Sequence, residues 1–67
     1  MVEKWTGRLI GKMHNNDISI TDLANELSVT KAYVSMILNG ARKPRDAKNK
    51  LETAVDAIIA RRKEAGQ

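Results

Sequence analysis

The supply of apolar side chains restricts the fold of this chain more than any other feature. Its 67 residues include no Cys and no Phe, and only one Trp and one Tyr. No disulfide can therefore stabilise the fold, and the core must consist of Leu, Ile, Val, Met and Ala. A chain of this length buries only about 60% of its surface, which allows one small core and no large enzyme cleft. An aliphatic core of this kind favours an all-α fold.

Positive charge is concentrated in the middle of the chain. The net charge is +4 at pH 7, although residues 19–29 contain only the acidic Asp22 and Glu26. Residues 30–50 contain one carboxylate, Asp46, and six cations, which are Lys31, Arg42, Lys43, Arg45, Lys48 and Lys50. A basic segment of this kind is expected for a polyanionic partner such as nucleic acid, and a solvated basic face explains it equally well.

The spacing of the apolar residues predicts four helices and no strand. A first helix over about residues 3–15 carries Trp5, Leu9 and Met13 on one face, with Ile10 beside them. We expect the other three helices over Ile20 to Leu27, over about residues 31–39, and from Arg45 or Asp46 to Gly66. The inward residues of the fourth helix are expected to be Ala47, Leu51, Ala54, Val55, Ile58 and Ile59.

Local signals mark the ends of the two short helices. Ser19 precedes Asp22 by three residues, which is a capping box with Asp in place of Glu, and Ile18 and Leu23 stand at the positions of a hydrophobic staple. Thr30 is an N-cap candidate for the third helix. Asn39 and Gly40 predict its end, because both residue types tolerate the left-handed conformation found there.

Two short helices joined by a tight link form the helix-turn-helix pattern. The segment Ile20 to Asn39 resembles the twenty-residue motif of the phage repressor and Cro proteins, the Cro/CI or XRE family. The matching features are the Leu23–Ala24 pair, Val29 in the turn, Val34 and Ile37 inside the third helix, and the Asn-Gly-Ala-Arg-Lys-Pro run over residues 39–44. The resemblance covers roughly residues 5–60 and implies a compact four-helix bundle of the lambda-repressor-like type.

Three departures from the family pattern affect what can be expected. Ser28 stands where the family usually has Gly, so the turn must use a non-Gly residue. Met13 and Leu38 replace an Arg–Glu pair, and this double change to apolar groups can be neutral or stabilising. The family's fifth helix is absent and a longer fourth helix takes its place. The resemblance therefore does not define a dimer interface for this chain.

The third helix has an inward and an outward face. Its spacing directs Val34, Ile37 and Leu38 inward. We expect the outward residues to read base edges in the major groove, and these are Thr30, Lys31, Ala32, Ser35 and Met36. None of them is Asn, Gln or Arg, so we expect specificity to rest partly on apolar contacts and on DNA shape.

Other residues are expected to meet the phosphate backbone. Thr21 accompanies the amides at the start of the second helix, where a phosphate can bind. The family resemblance implies the same role for Tyr33, Asn39, Arg42 and Lys43. Tyr33 has the alternative of covering the edge of the core. Simple solvation is the alternative to a phosphate contact for Arg42, Lys43, Lys48 and Lys50.

Two further features have alternative explanations. Trp5 is interpreted as a core residue, with a binding anchor as the alternative. Val55, Ile58, Ile59 and Arg62 form a stripe that either packs against a second copy of the chain or covers the first helix. His14 is the single His and the chain has no Cys, so we expect no metal site. His14 also lies on a different helix from Ser35, so we expect no catalytic pair of a serine nucleophile and a histidine base.

Together these features predict a single helix-turn-helix DNA-binding domain over residues 1–67. We expect a cytoplasmic transcriptional regulator, more specifically a repressor, which binds a double-stranded operator as a homodimer. No enzyme activity, cofactor, small-molecule ligand or membrane segment is expected. The alternative is an antitoxin-like or other small interaction module, in which the long last helix binds a protein partner and DNA binding is secondary.

Overall fold

A computed structural model describes residues 4–65, and the regular secondary structure in this range is entirely α-helical. The helices are α1 (Lys4–Asn15), α2 (Ile20–Leu27), α3 (Lys31–Leu38) and α4 (Ala47–Glu64). No strand occurs in the described range. The predicted class and the four predicted helices are confirmed, with boundaries that differ by one or two residues; Glu3 and Gly66, which were expected at the outer ends, lie outside the described residues.

The core lies where the four helices meet, and the fold is compact. The radius of gyration is 11.5 Å, close to the roughly 11 Å expected for a compact chain of this length. The buried apolar side chains from the helices and from the turn before α2 are Leu9, Met13, Ile18, Leu23, Ala24, Val34, Ile37, Leu38, Ala47, Leu51, Ala54, Val55 and Ile58. They are nearly all aliphatic, as the composition required.

The buried face of α1 differs from the predicted one. Thr6, Leu9 and Met13 are buried, and Trp5 packs against the core while remaining partly exposed. Ile10 was expected beside this stripe, but 45% of it is exposed. The reason is that α1 meets α3 and α4 through the face centred on Thr6, Leu9 and Met13, and one residue along a helix turns the side chain by about 100°. Trp5 is therefore a core-edge residue.

The long α4 covers the other helices of the same chain. It packs against both α1 and α2. Val55 and Ile58 are buried, and Ile59 packs against the core from a partly exposed position. Arg62 bonds to residues between α1 and α2. Of the two explanations for this stripe, the structure favours coverage within the chain, because these side chains already have partners there.

Met13 and Leu38 lie on facing helices as a buried pair. Their relative exposures are 4% and 6%, and both border a depression between α1 and α3. A buried charge would need a partner, and neither Met13 nor Leu38 carries one. An apolar pair here therefore fits the core.

The turn after α2 uses a residue in a conformation that L-amino acids adopt rarely. Ser28 has φ 58° and ψ 40°, which is left-handed, and its N–H bonds to the end of α2. We expect Ser28→Gly to raise the free energy of unfolding by about 0.5–1 kcal/mol. Glycine relieves the strain of the left-handed conformation in the folded state, and the freedom that it adds to the unfolded chain offsets only part of this gain. Urea titration measures this change. Ser28→Ala serves as the control, and an equal gain from Ala would contradict the conformational explanation.

Among the described residues, no helix has the combined length and apolarity required to cross a lipid bilayer.

Candidate nucleic-acid interface

The start of α2 is held by a complete capping box. The Asp22 amide donates to Ser19 Oγ at 3.0 Å, and the Ser19 amide donates to Asp22 Oδ2 at 3.0 Å. Ile18 and Leu23, the predicted staple residues, are both buried. Thr21 is exposed in the first turn, and its own amide is not used by the box. The predicted cap is confirmed, and it leaves Thr21 facing solvent.

The link between α2 and α3 contains three residues, and each end of it is fixed by hydrogen bonds. The Val29 amide donates to the Ala24 carbonyl at 3.0 Å. Thr30 Oγ1 accepts from the Tyr33 amide at 3.1 Å, which confirms Thr30 as the N-cap of α3. Ala24 is 3% exposed, so its small side chain permits a close approach of neighbouring elements. The start of α3 therefore has a defined position relative to α2.

The faces of α3 follow the predicted division only in part. Val34, Ile37 and Leu38 are buried as expected. Of the predicted base-reading residues, Thr30, Lys31 and Ala32 are exposed, whereas Ser35 and Met36 are half-buried.

Neighbouring elements lie beside both half-buried residues. The Arg42 amide donates to the Met36 carbonyl at 3.1 Å, so the loop after α3 returns to the backbone of its last turn. Ser35 borders the depression between α1 and α3. The exposed reading surface is therefore concentrated at the N-terminal turn.

The predicted phosphate contacts have different environments. Arg42 and Lys43 are exposed on the loop after α3. Asn39 is also exposed, but its Oδ1 accepts from the Ala41 amide at 3.0 Å and so stabilises the turn. Tyr33 packs against the core edge and borders an apolar groove beside Leu51. The alternative role of Tyr33, covering the core edge, therefore has direct support.

Three ion pairs within the described part of the chain use cations outside the basic segment. In residues 4–65 these pairs are Lys12–Asp56, Arg61–Glu26 and Arg62–Asp22. Five cations of residues 30–50 are exposed and make no ion pair within the described part of the chain, namely Lys31, Arg42, Arg45, Lys48 and Lys50. Their charge is therefore available to a polyanion, and it is distributed over α3, the following loop and the start of α4.

Arg62 has a role that the sequence did not reveal. One guanidinium nitrogen donates to the carbonyl oxygens of Asn16 and Asp17, the latter at 3.2 Å, and the other lies 3.5 Å from Asp22 Oδ2. We call this set the Arg62 clamp. It joins the end of α4 to the α1–α2 turn and to the cap of α2. No local pattern could identify it, because its partners lie at least 40 residues away.

The carboxyl group of Asp22 has a lowered pKa. The largest cause is the hydrogen bond from the Ser19 backbone, followed by the Ser19 side chain, and the Arg62 charge adds to the effect; partial burial opposes it. A carboxylate that is favoured in the folded state stabilises the protein above its unfolded pKa, which is about 3.9 for Asp. That stabilisation is lost as the pH falls through the lower folded value.

Replacing Asp22 by Asn tests this linkage. At neutral pH we expect Asp22→Asn to unfold at lower urea concentration than the wild type, because the charge-assisted bonds of the cap are lost. The difference should shrink as the pH is lowered from 7 to 3, since the wild-type carboxylate then takes up a proton. A difference that stays constant over this range would contradict the proposed pH dependence.

The described residues contain no group of three or more His, Cys, Asp or Glu side chains placed to hold a metal ion. Comparison with protein-family models, with curated proteins and with solved structures finds no match. What the chain binds must therefore be inferred from its own residues and their geometry.

Proposed function

We propose that this chain is a helix-turn-helix protein that binds duplex DNA with sequence specificity and acts as a transcriptional repressor. The fold type that we propose is lambda-repressor-like, as the resemblance to the Cro/CI or XRE family implies. The observation that carries the proposal is the exposed N-terminal turn of α3, fixed by the Thr30 cap and flanked by cations such as Lys31 and Arg42, which make no ion pair within residues 4–65. A major groove about 12 Å wide admits such a helix, and its first residues reach the base edges.

The exposed residues of this turn suit different base edges. The Lys31 ammonium can donate to guanine O6 and N7, and the Ala32 and Thr30 methyl groups can contact thymine methyl groups. Ser35 and Met36 are half-buried, so we assign them contacts at the margin of the reading surface. With few directional contacts available, DNA shape supplies the remaining specificity.

The start of α2 suits a phosphate contact. Thr21 is exposed there, and helix N-termini favour anions because their first amides lack partners. The negative charge of Asp22 would oppose this, but Arg62 lies beside it. Together with Arg42 and Lys43, this contact would set the orientation of α3 on the duplex.

We further propose that two copies bind a two-fold operator. Each copy presents one reading helix, and half-sites about 34 Å apart place both helices on the same side of the duplex. The half-site sequence should then appear twice, as an inverted repeat.

Selection of bound sequences from a random duplex pool, with the full chain at a stated salt concentration, tests the proposal. We expect enrichment of an inverted repeat and a salt-dependent affinity. No enrichment would overturn specific binding. Co-purification with a protein partner, without a salt-dependent shift of duplex DNA, would favour the antitoxin-like alternative instead.

A further inference from the structure

A small cationic depression lies between the start of α1 and the loop that precedes α4. It measures about 260 Å³, and its walls include Trp5, Arg42, Lys43, Arg45 and Lys48. We call it the Trp5 depression. None of the described residues that line it is acidic. Three exposed cations, Arg42, Arg45 and Lys48, therefore lie around one concave site.

The charges around this depression favour an anion. Arg42, Arg45 and Lys48 are exposed and make no ion pair within residues 4–65. Like charges that converge on a small concavity repel one another, and a bound anion relieves that repulsion. Because each guanidinium offers a planar set of donors, the two arginines suit phosphate oxygens in particular.

Trp5 adds a second kind of contact. It is the only Trp of the chain, and its indole packs on the core while it also lines the depression. An aromatic face beside cations can stack on a nucleobase. The bases of a duplex are already paired and stacked, so a duplex could use the cations but not the indole. A free nucleotide could use both.

We propose that the Trp5 depression binds a free nucleoside diphosphate or triphosphate. Arg42, Arg45 and Lys48 hold the phosphates, and the base lies against Trp5. The volume is slightly below the roughly 300–1,000 Å³ of pockets that enclose a whole small molecule. The depression therefore takes the phosphates and one face of the base, and leaves the rest of the nucleoside in solvent.

Trp5 itself reports binding. We expect ADP to quench the intrinsic fluorescence of the full chain with saturation in the micromolar range at low salt, and to bind roughly fivefold or more tightly than inorganic pyrophosphate, because only ADP can stack. Equal affinity for the two compounds would overturn the nucleotide assignment, since the base would then contribute nothing. Absence of saturation at millimolar ADP would overturn the site altogether.

A double variant tests the cations against a matched control. Arg45→Gln with Lys48→Gln should weaken ADP binding at least tenfold. Lys63→Gln with Arg8→Gln removes the same charge from exposed positions outside the depression and should change the affinity less than twofold. Equal weakening by both pairs would mean general charge attraction and would overturn the proposal. Circular dichroism confirms that each variant is folded.

Arg42 is assigned phosphate contacts both here and in the proposed function, but the ADP titration contains no DNA, so its outcome does not depend on the proposed function. A duplex of random sequence, added in place of ADP, separates the two sources of phosphate. Quenching by the duplex that is lost in the double variant, with no response to ADP, would assign the depression to the DNA backbone and overturn nucleotide binding. Saturable ADP binding would support the inference whether or not a specific operator is found.

Discussion

Replacing Lys31 by Ala is expected to lower the affinity for the selected operator by about 1–3 kcal/mol, roughly 5- to 150-fold, and to relax specificity at one base position. Lys31 opens α3, is exposed and makes no ion pair within the described residues. Its ammonium can therefore reach a guanine edge without first losing an internal partner. Binding titrations against the operator and its single-base variants measure the effect.

Arg42 provides the contrasting variant. It lies on the loop after α3, where its backbone amide donates to the Met36 carbonyl and its side chain makes no ion pair within residues 4–65. We expect Arg42→Ala to weaken all duplex sequences alike and to reduce the slope of log affinity against log salt by about one. If Lys31→Ala and Arg42→Ala changed the sequence preference in the same way, the assignment of base-reading and phosphate-binding roles would be wrong.

Replacing Arg62 by Ala is expected to lower the free energy of unfolding by about 1–3 kcal/mol, because the variant leaves the carbonyl groups of Asn16 and Asp17 and the Asp22 carboxylate without their charged donor. The side chains of Arg62 and Asp22 are 38% and 43% exposed, so water compensates part of the loss and we expect the change to lie in the lower half of this range. Chemical denaturation monitored through the helical signal measures the change.

The neighbouring Arg61 is a matched control for Arg62. Its side chain is 64% exposed and pairs within the described residues with Glu26 alone, whose side chain is 21% exposed, and pairs with an exposed member contribute only about 0.2–1 kcal/mol. We therefore expect Arg61→Ala to cost clearly less than Arg62→Ala. Arg62→Lys should restore part of the loss, since one ammonium cannot reproduce the planar set of donors. Equal costs for Arg61→Ala and Arg62→Ala would show that the Arg62 clamp adds nothing beyond surface charge.

The bounds of the short helices could be predicted because their signals are local. Ser19 and Asp22 satisfy each other's backbone within one turn, and at the start of α3 Thr30 Oγ1 accepts from the Tyr33 amide. Such bonds depend on residues three apart, so they are visible in the chain before any tertiary contact forms. The same holds for Gly40, whose φ of 86° ends α3.

The candidate site could be predicted less completely. The outward positions of α3 follow from helical spacing, which correctly exposes Thr30, Lys31 and Ala32. Helical spacing does not show that the loop after α3 returns to the Met36 carbonyl. Nor does it decide between the two roles considered for Tyr33, which packs on the core edge. Both depend on where a neighbouring element lies, which one helix cannot specify.

By itself, the sequence determined the helical class, the four helices, the N-caps of the two short helices and the location of the positive charge, because these depend on composition and on residues within a turn of each other. The tertiary structure alone decided the destination of the α4 stripe, the exposure of Ile10 and the partners of Arg62. It also brought Trp5 to Arg45 and Lys48, about 40 residues along the chain. These features require elements that are distant in sequence to meet, and helical periodicity states which face is apolar but not what that face contacts.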